Sequence, residues 1–178
     1  LMVRYHIKKI LIYLFSLIPF SILTKFENLF SISQGRGFEN AIEESKTLLK
    51  FASKNNINLL NIFDVGSFHG DYTNELLKKY PQSNYYLFEP DQKNFLFIKE
   101  RFKEIKNINI FNIAITNKDE KGTLFSCIKG SLQGSLIQQD FSHLNVPNNV
   151  KQTIILRRID TLMNELKLSS IDLCKIDI

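Results

Sequence analysis

The sequence predicts an α/β domain built on a doubly wound, mostly parallel sheet. From residue 59 onward, short apolar runs alternate with segments that have helical periodicity. This alternation is typical of βαβ units, in which helices cover the faces of a parallel sheet. A turn containing two glycines follows the first apolar run. Since ligands of such sheets bind at the carboxyl ends of the strands, we expect this turn to face a ligand site.

The individual elements follow from the period of the apolar residues. The expected strands are the apolar runs at residues 59–65, 85–88, 108–113, 122–128, 153–158 and 171–178. The expected helices have apolar residues three and four positions apart and lie at residues 38–56, 72–80, 95–102 and 161–167. In a doubly wound sheet the last of these strands is expected beside the first.

Three segments of the chain differ in composition. Residues 1–33 are basic and apolar and are expected to be helical, residues 34–57 form a linker and an amphipathic helix, and residues 58–178 form the sheet domain. The linker is indicated by its glycines. The helix that follows it has an apolar face and a charged face.

The N-terminal segment has two interpretations. Its apolar run at residues 10–23 is shorter than the roughly 20 residues that cross a bilayer. No small-residue cleavage site follows the run, so we do not expect a secreted protein. Because Arg4, Lys8 and Lys9 precede it, residues 1–26 suit peripheral contact with anionic headgroups at the inner face of the membrane. Packing of the same helix on the domain is equally compatible with the pattern.

Composition argues against two kinds of partner. The net charge is +5, but the lysines are spread along the chain. A nucleic-acid partner would require a basic patch, and none is present. Cys127 and Cys174 lie far apart without metal-ligand spacing. We therefore expect a cytoplasmic protein with no cysteine-ligated metal site and no nucleic-acid partner, and we assign no residue as a metal ligand.

The turn after the first expected strand carries the candidate chemistry. It begins at Phe63 with Phe-Asp-Val-Gly-Ser-Phe-His-Gly. Gly66 leaves room for a ligand close to the backbone, and Gly70 allows a tight turn into the following helix. The free N–H groups of that helix's first turn suit a carboxylate. Asp64 either fixes the glycine loop beside the ligand, which we favour, or only caps the turn.

Glu89 ends the second expected strand. From this position a carboxylate can accept hydrogen bonds from both hydroxyls of a ribose, as the acidic residue of dinucleotide-binding folds does. An NAD-dependent oxidoreductase would need Gly-x-Gly-x-x-Gly at the first turn. Phe68 stands in the place of the second glycine, so that alternative is disfavoured.

Five blocks, in this order, resemble the FkbM family of methyltransferases. They are Asp-Val-Gly-Ser-Phe-His-Gly-Asp-Tyr-Thr from Asp64, Phe-Glu-Pro from Phe88, Asn-Ile-Ala-Ile from Asn112, Ile-Asp-Thr-Leu from Ile159 and Leu-Cys-Lys-Ile-Asp from Leu173. The resemblance covers residues 61–178. It implies a class I, Rossmann-like methyltransferase that uses S-adenosylmethionine to methylate a hydroxyl of a glycan or a small metabolite. The cofactor contacts it implies come from Asp64, Gly66, Ser67, Gly70 and Glu89. Phe68 departs from the Asn often found there in the family, which affects local loop contacts.

Asp177, at the end of the last strand, is the candidate catalytic residue because it is expected to face the transferred methyl group. It has three possible roles there: to position the acceptor hydroxyl, to remove its proton or to contribute to a metal site. A simple ion pair with Lys175 is the alternative. Since methyl transfer depends mainly on holding the acceptor in line with the methyl group, few catalytic residues are expected. A non-catalytic, membrane-associated binding module with the same fold is the alternative function.

The last block also leads to an expectation about completeness. In the FkbM family this block ordinarily continues into Glu-Gly and further strands. We therefore expect a sheet that is incomplete at the C-terminus, with residues 171–178, an apolar strand suited to burial on both faces, at its edge. An uncovered apolar edge favours aggregation. The 178-residue chain is therefore expected to be poorly soluble and inactive.

Overall fold

A computed structural model describes residues 37–126, 130, 134–138 and 150–177. The predicted N-terminal helix at residues 1–33 and its membrane contact lie outside the described residues. The chain separates into two compact units, Leu1–Asn40 and Ala41–Ile178. Within the described ranges, no helix has the length and apolar character needed to cross a membrane.

The described elements alternate between helices and strands up to Phe111, as predicted, and three further described strands then follow one another before the last helix and strand. The helices are α1 (Gly37–Lys54), α2 (Asp71–Leu77), α3 (Gln92–Arg101) and α4 (Ile159–Glu165). The strands are β1 (Asn61–Val65), β2 (Asn84–Phe88), β3 (Ile108–Phe111), β4 (Ile113–Ile115), β5 (Glu120–Ser126), β6 (Val150–Arg157) and β7 (Leu173–Ile176). The helix ends differ from the predicted ones by a few residues, which is the usual uncertainty of a boundary read from periodicity.

Four parallel strands form the main sheet in the order β3-β2-β1-β7. The predicted pairing of the last strand with the first is confirmed, and its register sets Asp64 opposite Lys175. β7 lies at the edge of this sheet among the described strands, as expected. Its apolar side chains are only partly covered, as expected for an apolar strand at this edge: Leu173 is half-buried and Ile176 is 61% exposed.

The core lies on both faces of β1, whose side chains alternate between the two. Ile62 packs on one face with residues of α1, α2 and α3, whereas Phe63 and Val65 pack on the other with residues of α4. Each large apolar side chain buried in this way contributes about 1.5–3 kcal/mol. Helices on both faces of a parallel sheet confirm the predicted doubly wound, Rossmann-like architecture.

One predicted strand is two strands in the structure. The apolar run at residues 108–113 divides at Asn112, so that β3 ends in the main sheet and β4 begins a second sheet of order β4-β6-β5. The Asn112 amide donates to the carbonyls of Glu89 at 2.9 Å and Pro90 at 3.0 Å. These bonds use the polar side chain to hold the point where the chain changes sheets.

Candidate functional site

The glycine turn links β1 to α2 at the carboxyl edge of the main sheet. Gly66 and Gly70 both have a left-handed backbone, with φ of 71° and 76°, a conformation that is strained for most other residues. The N–H groups of Gly66 and Ser67 donate to the Phe88 carbonyl at 3.0 Å and 3.2 Å. The turn is therefore fastened to the end of β2, beside Glu89.

The neighbours of the two glycines explain why neither position accepts a side chain. A Cβ atom on Gly66 would lie 1.9 Å from the carbonyl oxygen of Asp177. The space expected for a ligand at this carbon is therefore occupied by the backbone of Asp177, directly after β7. A Cβ atom on Gly70 would lie 2.5 Å from the ring of Phe102, so this glycine lets α2 begin against the end of α3.

Glu89 is a nearly buried carboxylate, 6% exposed, at the end of β2. Its Oε2 accepts the Phe68 N–H at 2.8 Å, and its Oε1 accepts the Asp91 N–H at 3.0 Å. Burial raises the pKa of Glu89 to about 7, although both N–H bonds favour the charged form. A carboxylate has about four acceptor positions. The two backbone bonds and a hydrogen bond from the Asn94 side chain therefore leave about one acceptor position at the ligand edge of the sheet.

Phe68 adopts the left-handed conformation with φ of 48°. This region is uncommon for bulky residues, whereas Asn is enriched in it. The Phe68 ring stacks on His69 with centroids 3.7 Å apart. Burial is the main cause that lowers the pKa of His69 to about 4. His69 is therefore neutral near pH 7 and contributes an aromatic face to the turn.

Asp64 lies fully buried under the glycine turn. Its Oδ2 accepts the Thr73 hydroxyl at 2.8 Å, and its Oδ1 lies 3.3 Å from the ammonium nitrogen of Lys175. Burial raises the pKa of Asp64, and the charge of Lys175 opposes that rise. The carboxylate therefore joins β1, α2 and β7 beneath the predicted site.

Lys175 is the site residue that the sequence analysis undervalued. Its ammonium group donates to the Gly66 carbonyl at 3.0 Å and lies 3.5 Å from the Asp177 carboxylate, in addition to its pairing with Asp64. From the sequence, Lys175 was expected only as an ion-pair partner of Asp177. A lysine within an apolar strand expected beside β1 was the available signal, but its contacts depend on the register of that pairing.

Asp177 is 77% exposed at its side chain, and its backbone N–H donates to the Val65 carbonyl at 3.0 Å. Its carboxylate therefore projects from the same edge as Glu89 and is free to meet an acceptor, apart from the contact with Lys175. Among the described residues, no cluster of three or more His, Cys, Asp or Glu side chains is arranged to hold a metal ion. The catalytic role of Asp177 stays a prediction.

Asp91 connects the site to the second sheet. Its Oδ1 caps α3 by accepting the N–H groups of Lys93 and Asn94. Its Oδ2 accepts the Gln152 side chain at 2.5 Å and the Gly130 N–H at 3.1 Å. β6 and residue 130 are therefore held at the carboxyl edge of the main sheet. This link was not predictable from the sequence, because the residues are far apart in the chain.

The protein is thus a Rossmann-like α/β domain that has a glycine turn and a strand-end carboxylate at the carboxyl edge of its main sheet. Residues 64–178 match the family model described as the methyltransferase FkbM domain. Because the match covers well over half of the chain, the protein belongs to the FkbM methyltransferase domain family. The matched range contains every site residue predicted from the sequence. No curated protein matched the chain.

Proposed function

We propose that this protein is an S-adenosylmethionine-dependent methyltransferase that methylates a hydroxyl group of a glycan or a small metabolite. The observation that carries the proposal is Glu89, a buried carboxylate at the end of β2 beside the Gly66 turn. A charged group buried at the ligand edge is costly to maintain. Its cost is compatible with a role in binding hydroxyl donors.

The residues present suit this cofactor. Glu89 accepts the N–H groups of Phe68 and Asp91 and a hydrogen bond from the Asn94 side chain, and it keeps acceptor capacity for a ribose hydroxyl. The turn from Gly66 to Gly70 lies at the same edge and is anchored by Asp64 from below. In the proposal, Glu89 holds the ribose, while Asp64, Gly66, Ser67 and Gly70 shape the part of the site that receives the methionine portion.

The chemistry requires mainly positioning. S-adenosylmethionine, when bound, supplies a methyl group on a sulfonium that is already activated for transfer. The protein then has to align an acceptor oxygen with that methyl group and to exclude competing geometries. In this proposal Asp177, exposed at the end of β7, orients the acceptor hydroxyl and accepts its proton at a carboxylate oxygen.

The proposed cofactor also bears on location. S-adenosylmethionine is a cytosolic metabolite, so the domain must face the cytosol in order to meet it. We propose a cytoplasmic protein whose basic N-terminal segment, residues 1–26, contacts the inner face of the membrane peripherally. Release by high salt or carbonate in cell fractionation supports this placement. Protection of the domain from protease on the far side of the membrane would contradict both the placement and the methyltransferase function.

Incubation of the full-length protein with methyl-labelled S-adenosylmethionine and cell extract tests the activity. We expect label in an acceptor fraction whose methyl group is stable to mild base, as an ether is, unlike a methyl ester. The same incubation with an Asp177→Asn variant, which keeps the shape of the side chain but removes its basicity, should yield less label. Binding of S-adenosylmethionine without any label transfer would instead support the non-catalytic binding module.

A further inference from the structure

We propose that Lys175 is the positioning residue of the glycine turn, because its ammonium group holds the Gly66 carbonyl in the orientation that the cofactor site requires. This inference rests on the proposed function, since it concerns the turn that receives S-adenosylmethionine. Lys175 lies on β7, whereas the turn follows β1. The neighbouring strand therefore controls the shape of the cofactor site.

The contacts of Lys175 show that it acts through the turn and not by touching a ligand. An ammonium group has three N–H donors. Three oxygens lie within 3.5 Å of the Lys175 nitrogen: the Gly66 carbonyl at 3.0 Å, Asp64 Oδ1 at 3.3 Å and Asp177 Oδ2 at 3.5 Å. The side chain is only 12% exposed, and its nitrogen lies 5.9 Å from the centroid of the Tyr72 ring. Its nitrogen therefore donates one hydrogen bond to the turn and lies in ion-pair distance of two carboxylates of the protein.

The turn is held from two sides. On one side, the N–H groups of Gly66 and Ser67 both donate to the Phe88 carbonyl of β2. On the other, the Gly66 carbonyl accepts from Lys175. Glycine has more conformational freedom than any other residue, so a turn built on it needs such restraints. Fixing it before the ligand arrives removes an ordering cost from binding.

Substitution of Lys175 alone would remove two contacts at once, the hydrogen bond to the Gly66 carbonyl and the ion pair with Asp64. Lys175 also neutralises the buried Asp64 carboxylate, and loss of one partner from a buried ion pair is strongly destabilising. Asp64→Asn removes that charge, while the remaining amide oxygen can still accept the Thr73 hydroxyl bond. In this background, Lys175→Met removes the tether to Gly66 without leaving an unpaired buried charge.

The experiment compares four full-length proteins: the wild type, Lys175→Met, Asp64→Asn and the double variant. Urea unfolding measures their stability, and calorimetry with S-adenosylhomocysteine measures affinity. We expect Lys175→Met to be the least stable and the double variant to regain the stability of Asp64→Asn. The affinity for S-adenosylhomocysteine should not recover in the same way as the stability. We expect the double variant to bind about tenfold more weakly than Asp64→Asn, which is the scale of a hydrogen bond to a charged group.

Equal affinity of the double variant and Asp64→Asn would overturn the inference, since Lys175 would then serve only to neutralise Asp64. Lys175→Arg supplies a second comparison that does not depend on the Met variants folding. Its guanidinium group retains donors for the Gly66 carbonyl, so it should bind the ligand within a few-fold of the wild type. A folded Arg variant that has lost about tenfold or more would also overturn the inference. If the wild type binds neither S-adenosylmethionine nor S-adenosylhomocysteine, the proposed function itself fails, and this inference fails with it.

Discussion

The two ends of the main sheet use the same arrangement in different surroundings. At the amino end, Asp172 accepts the N–H groups of Leu60 and Asn61 at 2.9 Å and 2.8 Å. At the carboxyl end, Glu89 accepts the N–H groups of Phe68 and Asp91 at 2.8 Å and 3.0 Å. In each case a single carboxylate accepts two backbone N–H groups. Both donors to Asp172 lie at the start of β1, whereas Glu89 is joined to the turn after β1 by the Phe68 N–H and accepts its second bond from Asp91 in its own turn.

The two carboxylates differ in burial. Asp172 is exposed to water, whereas Glu89 is 6% exposed and has a raised pKa of about 7 because of its burial. Burying a carboxylate costs free energy that an exposed one does not. An exposed carboxylate, Asp172, is enough to join the strands at the amino end. Stability alone therefore does not require a buried carboxylate at the carboxyl end. The difference favours a binding role for Glu89.

A second pair of residues repeats the comparison around β3. Asn107, before the strand, donates its amide to the carbonyls of Pro81 and Ser83. Asn112, after the strand, donates its amide to the carbonyls of Glu89 and Pro90. Both side chains therefore fasten the ends of β2 to the ends of β3. Only Asn112 does so at the predicted site.

Gly66→Ala is expected to have the largest effect on the carboxyl end. The new methyl group would meet the Asp177 carbonyl at 1.9 Å, in a backbone conformation with φ of 71°. Left-handed strain and overpacking together should lower the free energy of unfolding by about 3 kcal/mol or more. Gly134→Ala is the control, because its methyl group would lie 3.3 Å from the flexible Leu124 side chain. Urea unfolding at the same midpoint for wild type and Gly66→Ala would refute this packing account.

The pH dependence of stability should reveal the buried carboxylate. The folded-state pKa of Glu89 is about 7, against an ordinary value of 4.5. The folded state therefore keeps the proton to higher pH, so its stability contribution is complete below about pH 4.5 and is lost as pH rises through 7. Glu89→Gln should remove this loss, which amounts to about 3 kcal/mol at 1.4 kcal/mol per pKa unit. The measurement is the free energy of unfolding of both proteins from pH 4.5 to 8. The same dependence on pH in the wild type and in Glu89→Gln would contradict the prediction.

Alanine at the two asparagines should produce the smallest change in stability and the cleanest separation between the ends. Each substitution leaves backbone carbonyls without a donor and should cost about 1 kcal/mol. Asn107→Ala should leave the affinity for S-adenosylhomocysteine unchanged, whereas Asn112→Ala should weaken it by shifting the Glu89-Pro90 backbone. Equal affinities of the two variants would show that Asn112 is no more important for ligand binding than Asn107, which would contradict the prediction.

Much of the carboxyl end was predictable from the sequence, for a physical reason. Gly66, Gly70 and Glu89 follow strands whose apolar runs mark buried parallel strands, and the ends of such strands meet at one edge. The pairing of the last strand with the first was predicted in the same way. These inferences need only the order of the elements and the direction of the strands.

Contacts that depend on register were not predictable. The division of residues 108–113 at Asn112 carries no signal in an apolar run, because periodicity does not say which sheet a short strand joins. Lys175 reaches Gly66 only because the register sets it opposite Asp64. The Asp91 bond to Gln152 likewise joins distant parts of the chain. Tertiary packing decides all three.

Calorimetry of ligand binding by Glu89→Ala and Asp172→Ala tests the central claim most directly. Both variants lose a carboxylate that accepts two backbone N–H groups, one at each end of the sheet. We predict that Glu89→Ala weakens binding of S-adenosylmethionine by about 1–3 kcal/mol, the cost of leaving polar partners unpaired, and that Asp172→Ala binds as tightly as the wild type. Unchanged affinity in Glu89→Ala, or an equal loss in both variants, would contradict the assignment of the carboxyl end as the cofactor site.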